Sequence, residues 1–172
     1  VAYTNYSGKG GVGIGSFFQR LGFSLRYSEL NLMISNQLSD DSKIIMERNI
    51  TSRVKKAAPF LYTDNDPYLA LIEGDLFWII DMYTVSDKYP YAQPADTRRI
   101  NERSGLPASF NYIRNSVKAV VNAYDGTMDF YVFDETDPLI QTYAKIFPTL
   151  FSDKSSMSSS LLDHIRYPED LF

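Results

Sequence analysis

The run Gly8-Lys9-Gly10-Gly11-Val12-Gly13-Ile14-Gly15-Ser16 carries the one pattern in this chain that points to a specific chemistry. Glycine-rich loops that open a helix cradle phosphates with backbone N–H groups. A lysine then reaches the β- and γ-phosphates, and a Ser or Thr holds Mg²⁺. In the variant built on Lys-Gly-Gly, the second lysine belongs at position 14 and the hydroxyl follows it. Ile14 and Gly15 stand there instead, and Ser16 is out of register for the metal. Leu76-Phe77-Trp78-Ile79-Ile80-Asp81 is a second lure, an apolar run ending in an acid like the strand that holds Mg²⁺ in such enzymes. Asp81 falls on the return arm of a predicted hairpin, whereas nucleotide-binding folds of this type use parallel strands joined by crossover helices. Nucleotide hydrolysis is therefore rejected. Two readings remain: an anion site of Lys9, Gly10, Gly11 and Ser16 at a helix start, or a turn that needs positive φ and close approach.

The other chemical candidates are thinner. Asp64-Asn65-Asp66 and Asp134-Glu135 with Asp137 lack the central Gly and terminal Glu of a calcium loop, and read as turns and helix caps. His164 is the sole histidine and cysteine is absent, so no zinc site, thiolate or disulfide is expected. No nucleophile-elbow sequence is present for a Ser-His-Asp triad. Paired carboxylates for glycoside cleavage meet only in the fold, and nothing in the sequence singles out a pair. Neither a metal nor a cofactor is expected.

Contact chemistry is better represented. Ser86 to Arg114 is rich in Pro, Tyr and Arg and reads as one long loop, and such loops tend to be functional. Tyr and Arg are enriched where proteins bind partners, so Tyr89, Tyr91, Arg98, Arg99 and Arg114 are the candidate partner-binding residues. Arg53, Lys55 and Lys56 form a second basic run, read as a solvated helix face.

These residues need elements to position them. Ser16 with Gln19 fits a capping box, and Phe17, Phe18, Leu21 and Leu25 share one face of the helix it opens. Leu30 to Ile34 is a short apolar run. Asp40 to Arg48 and Ile50 to Ala58 read as two short helices, the second capped by Asn49. Leu69 to Glu73 turns near Gly74-Asp75 and returns through Leu76 to Thr84. Val117 to Tyr124 turns at Asp125-Gly126 and returns through Thr127 to Asp134. Asp137-Pro138 starts a helix running to Phe147, Ser152 to Ser160 is a serine-rich connection, and a short helix lies near Leu161 to Ile165. The expected fold is α+β: an antiparallel sheet built from two β-hairpins, packed against several short helices.

Composition bounds the rest. The 172 residues suit one domain, 1–172, with 44% hydrophobic and 22% charged residues. A net charge of −4 argues against a nucleic-acid partner. No apolar window is long enough to span a bilayer, so no direct membrane insertion by this segment is expected. Beginning at Val1 and ending on Asp170-Leu171-Phe172, the chain reads as a segment of a longer protein.

Long stretches of the chain resemble uncharacterised protein family 0182, a family of large multi-pass bacterial membrane proteins. They include Gly8-Lys9-Gly10-Gly11-Val12 with Gly15-Ser16-Phe17, Asp66-Pro67-Tyr68, Ser86-Asp87-Lys88-Tyr89-Pro90-Tyr91 and Asn111 to Val117. Ala123-Tyr124-Asp125-Gly126-Thr127, Asp137-Pro138-Leu139-Ile140 and His164 to Phe172 complete the match. The resemblance implies a fragment of the extracytoplasmic region, on the outer side of the cell membrane as part of an integral membrane protein. It implies no catalytic residues. The expected function is a non-catalytic binding or structural domain, with partners among other parts of the parent protein or a cell-envelope component; the alternative is an enzyme acting on cell-envelope polymers through carboxylates that meet only in the fold.

Overall fold

The computed structural model describes residues 6–99 and 104–171, and contacts divide the chain into two compact units, Val1–Arg48 and Asn49–Phe172. In the first unit, β1 (Val12–Gly13) pairs antiparallel with β2 (Lys43–Ile44), and α1 (Phe17–Tyr27) and α2 (Asn31–Ile34) follow β1. The predicted capping box is present. Gln19 N donates to Ser16 Oγ (3.3 Å) and Ser16 N donates to Gln19 Oε1 (3.1 Å). Ser28, in the left-handed conformation, closes the helix. The predicted helix over Asp40 to Arg48 does not form. Ile44 and Lys43 pair with Val12 and Gly13, and Ile14 N donates to Ser42 O at 2.9 Å, so strand pairing within the unit overrides the local preference.

The second unit is a six-stranded sheet. Its strands are β3 (Tyr62–Thr63), β4 (Tyr68–Ile72), β5 (Asp75–Ser86), β6 (Tyr112–Asn122), β7 (Met128–Val132) and β8 (Phe151–Asp153). Both predicted hairpins form, β4–β5 and β6–β7, and β5 joins them by pairing along β6. Turn chemistry explains the first: Glu73 and Gly74 both have positive φ (54° and 95°), as a tight two-residue hairpin turn requires. The fold is thus α+β with an antiparallel sheet against short helices. The serine-rich connection contributes one strand more, because β8 adds to β7 in parallel. Three residues are too few to display alternation, and what holds the strand is Phe151 packing against Phe130 and Phe60 (ring centres 6.3 and 6.4 Å).

Alternation along β5 and β6 divides the core between the two faces of the sheet. On one face Ile80, Met82, Val117, Ala119 and Val121 pack against Val54 and Ala58 of α3 (Ile50–Ala57) and its end. Ile140 of α4 (Pro138–Ile146) closes the same face. On the other, Ile79 and Val120 meet Tyr68, Ala70 and Ile72, covered by Met157 and by Leu161 of α5 (Ser159–Leu162). A bulge interrupts the β5–β6 register: Met82 faces Val117 and Thr84 faces Arg114, so Asn115 and Ser116 together stand opposite Tyr83. The bulge brings the Ser116 hydroxyl to 3.3 Å from that of Thr84.

Candidate functional site

That bulge builds the floor of the most developed surface feature. Ser116 and Thr84 both donate to Asp137 Oδ2, each at 2.5 Å. Tyr112 OH donates to Asp137 Oδ1 at 2.7 Å, and the Leu139 amide donates to the same oxygen at 2.9 Å. Asp137 is fully buried and is also the N-cap of α4. Burial opposes its charge, but the bonds from Ser116, Thr84, Tyr112 and Leu139 outweigh it and hold the carboxyl below its ordinary value. For Tyr112 the effects add: burial, then the bond to Asp137, push the phenol up to about 12.

The Tyr/Pro/Arg loop stands on this floor. Tyr89 stacks on Tyr112 with ring centres 5.2 Å apart, and the Arg114 guanidinium lies 5.7 Å from the centre of the same ring. Asn111 ties the loop back twice, accepting from Tyr89 N (2.9 Å) and donating to Tyr89 O (2.8 Å). Ala95 N bonds Phe110 O at 2.7 Å, and the Thr97 hydroxyl bonds Ala108 O at 3.2 Å. Held this way, Tyr91 takes a left-handed backbone (φ 59°) and is fully exposed. A non-glycine residue in that region is uncommon and survives where its surroundings fix it. Beneath the loop a cavity of about 170 Å³ is lined by Lys88, Tyr89, Pro90, Tyr112 and Leu139 among others. That is smaller than the roughly 300–1,000 Å³ of small-molecule sites.

The structure therefore gathers Tyr89 and Arg114 on one ring and leaves Tyr91 exposed beside them. Arg98 is exposed and makes a two-pronged bond to Asp96 (2.8 and 2.9 Å) within the loop. The side chain of Arg99 lies outside the described residues. Arg114 is held by Asp134 (2.9 Å). Sequence reasoning passed over Tyr112, Asn111 and Asp137 as working parts of this site. Tyr112 sat inside a stretch read as loop although it starts β6, and Asp137 read as a cap alone.

Deeper acids are committed elsewhere. Asp81 and Lys118 form a buried ion pair, and Lys118 also donates to Arg166 O at 3.2 Å. Burial pushes the Asp81 carboxyl up, against the pull of Lys118. Tyr83 OH donates to buried Asp64, which also accepts from the amides of Asp66 (2.8 Å) and Asp170 (3.0 Å). Burial, then the charge of Asp64, raises the Asp170 carboxyl. A cleft of about 520 Å³ beside these groups is lined by Arg114, Lys118, Phe133, Arg166 and Tyr167. His164 is exposed and its Nδ1 lies 2.7 Å from Ser160 O of the preceding turn. Among the described residues no cluster of His, Asp and Glu has the arrangement of a metal site.

In the first unit, the glycine run folds as the β1 arm and the helix entry. The Ser16 amide is bonded to Gln19, Gly11 has φ 94°, and Gly15 approaches the Asp40 backbone so closely that a β-carbon would collide with its carbonyl oxygen. Lys9 is exposed.

Taken together, the second unit is an α+β domain whose sheet presents a braced aromatic loop and spends its buried carboxylates on structural ties. A family profile described as "Uncharacterised protein family (UPF0182)" matches residues 1–172. The chain belongs to that family. It is 49% identical to a UPF0182 protein of Trichodesmium erythraeum, covering 99% of this chain and 20% of the relative. It is 46% identical to one of Thermobifida fusca (97% and 17%) and 44% identical to one of Clostridium kluyveri (99% and 18%). The chain thus spans about a fifth of the length of the curated bacterial relatives it matches. No solved structure matches it.

Proposed function

We propose that this chain is a non-catalytic binding or structural domain on the extracytoplasmic side of a multi-pass bacterial membrane protein. Its loop around Tyr89, Tyr91 and Arg98 contacts another part of the parent or a component of the cell envelope. The observation that carries this reading is the pedestal. Asp137 anchors Tyr112, Tyr89 stacks on that ring and bonds Asn111, and Tyr91 stands fully exposed on a left-handed backbone two residues on. An exposed aromatic next to an anchored stretch of backbone contributes contact area at a reduced backbone ordering cost. Two further facts support the reading. The chain is about a fifth of its relatives' length, which leaves ample parent to contact. The buried carboxylates Asp64, Asp81 and Asp137 are bonded to internal partners, which disfavours the alternative of an enzyme using them.

The test is the double variant Tyr91→Ala with Arg98→Ala, both at exposed positions. Binding to isolated envelope fractions is expected to weaken by about tenfold, with an unchanged far-ultraviolet circular dichroism spectrum. Unchanged capture of the variant would refute the reading.

A further inference from the structure

Lys118 stands where stability alone does not call for a lysine. It is the direct cross-strand partner of Asp81, both are buried, and the same face of the sheet is otherwise built from Ile79, Val120 and Tyr68. A buried ion pair contributes little net stability over apolar residues of similar volume. Lys118 also lines the cleft of about 520 Å³, a size within the roughly 300–1,000 Å³ of small-molecule sites. The segment 165–171 supplies much of the remaining lining and is pinned at two points. Arg166 N donates to Tyr68 OH (3.1 Å) and Lys118 Nζ to Arg166 O (3.2 Å). Further on, Asn65 N donates to Asp170 Oδ2 (3.2 Å) and Asp170 N to Asp64 Oδ2 (3.0 Å). Three cations line the cleft, and each keeps donors that the protein does not use. Among the described residues the Arg166 guanidinium has only the Tyr68 ring as partner, 4.7 Å from its centre, so its N–H groups are not hydrogen-bonded. Arg114 spends Nη1 alone, on Asp134 and Thr136 (2.9 Å each), which leaves Nε and Nη2. The Lys118 ammonium has three hydrogens, and Asp81 and Arg166 O take two of them. The acids beside these cations are Asp134, already bonded to Arg114 and Thr136, and Asp81, already bonded to Lys118; Glu169 and Asp170 do not line the cleft.

We propose that this cleft binds a small phosphate monoester with an apolar body. The phosphate is held by Arg114, Arg166 and Lys118, and the body lies against Ile165, Pro168 and Leu171. A phosphate monoester carries close to two negative charges at neutral pH and three acceptor oxygens, which matches unspent donors on three separate cations. A carboxylate offers one charge and two oxygens. Guanidinium edges pair with phosphate oxygens in a fork, and a lysine serves beside them as a point charge. The bonds that pin 165–171 fix the backbone of that wall before binding, which lowers the ordering cost. This site rests on β6 and the segment 165–171 and makes no use of Tyr91 or Arg98.

The experiment titrates the 172-residue chain with phenyl phosphate, benzoate, inorganic phosphate and benzyl alcohol, read by amide chemical shifts and by calorimetry. Phenyl phosphate should shift the amides of 114–118 and 165–171, a readout on the wild type that needs no variant to fold. Benzoate and inorganic phosphate should each bind about tenfold more weakly, the first for want of charge and oxygens and the second for want of a body. Benzyl alcohol should leave the same amides unmoved. Arg166→Gln, at an exposed position, should weaken phenyl phosphate about tenfold, and Arg166→Lys should recover part of the loss. Absent shifts, shifts confined to other residues, or equal binding by Arg166→Gln overturn the proposal. Benzoate binding as tightly as phenyl phosphate overturns the phosphate, inorganic phosphate doing so overturns the apolar body, and benzyl alcohol doing so reduces the cleft to an apolar groove.

Discussion

Replacing Asp137 by alanine removes the keystone of the loop pedestal, and the structure sets the scale of the loss. Asp137 caps α4 through the Leu139 amide, and a lost cap costs about 1 kcal/mol. It also accepts the hydroxyls of Ser116, Thr84 and Tyr112. Ser116 and Thr84 are buried, and hydrogen bonds to a charged group are worth about 1.5–3 kcal/mol each. Those two hydroxyls lie 3.3 Å apart and can bond each other once the carboxylate is gone, which recovers part of the loss. The expected cost of D137A is therefore about 3–5 kcal/mol, out of a total stability of roughly 5–15 kcal/mol. Denaturant titration followed by circular dichroism measures it. The acid arm of the stability curve is a second readout. The folded carboxyl is held below its ordinary value, so the unfolded chain binds the proton more readily. The contribution of Asp137 is fully present above the ordinary carboxylate value and is lost as pH falls through the lowered one. The stability gap between wild type and D137N should accordingly close as pH drops below about 4. A D137A variant within about 1 kcal/mol of wild type, or a gap that stays constant from neutral to acid, would refute the reasoning.

Two further expectations concern the interior. Lys118→Met strands Asp81 in the sheet without its partner and should cost about 3–5 kcal/mol, while Asp81→Leu combined with Lys118→Met restores most of it; a single variant as stable as wild type would show the pair to be dispensable. Gly15→Ala forces a β-carbon onto the Asp40 carbonyl and should loosen the first unit while leaving the second unaltered, so hydrogen exchange should speed up around α1 and β2 alone.

Much of the framework was legible because it depends on near neighbours. Ser16 and Gln19 cap α1, Asn49 caps α3, and Asp137 with Pro138 opens α4, each through contacts three or fewer residues away. Both hairpins followed from glycine turns between alternating strands. Elements held by distant partners were not legible. The segment around Lys43 and Ile44 became a strand because Val12 and Gly13 lie beside it, and Phe151 became one because Phe60 and Phe130 pack on it.

The site divides along the same line. The residue types of the Tyr/Pro/Arg loop marked it as a candidate contact surface, since tyrosines and arginines stand out in the sequence. That Tyr112 is the ring joining Tyr89 to Arg114, and that Asp137 fastens it from 25 residues away, was decided by the bulge opposite Tyr83, which aims Ser116 at Thr84. The glycine run shows the converse. Its spacing already excluded the phosphate-loop lysine and announced the capping box that occupies the Ser16 amide, and only the fold showed Gly15 set against Asp40. Local chemistry by itself determined caps, turns and strand periods, because those energies are settled within a few residues. Register and the partners of buried charges were decided only by tertiary structure, because each depends on which distant surface the chain brings alongside.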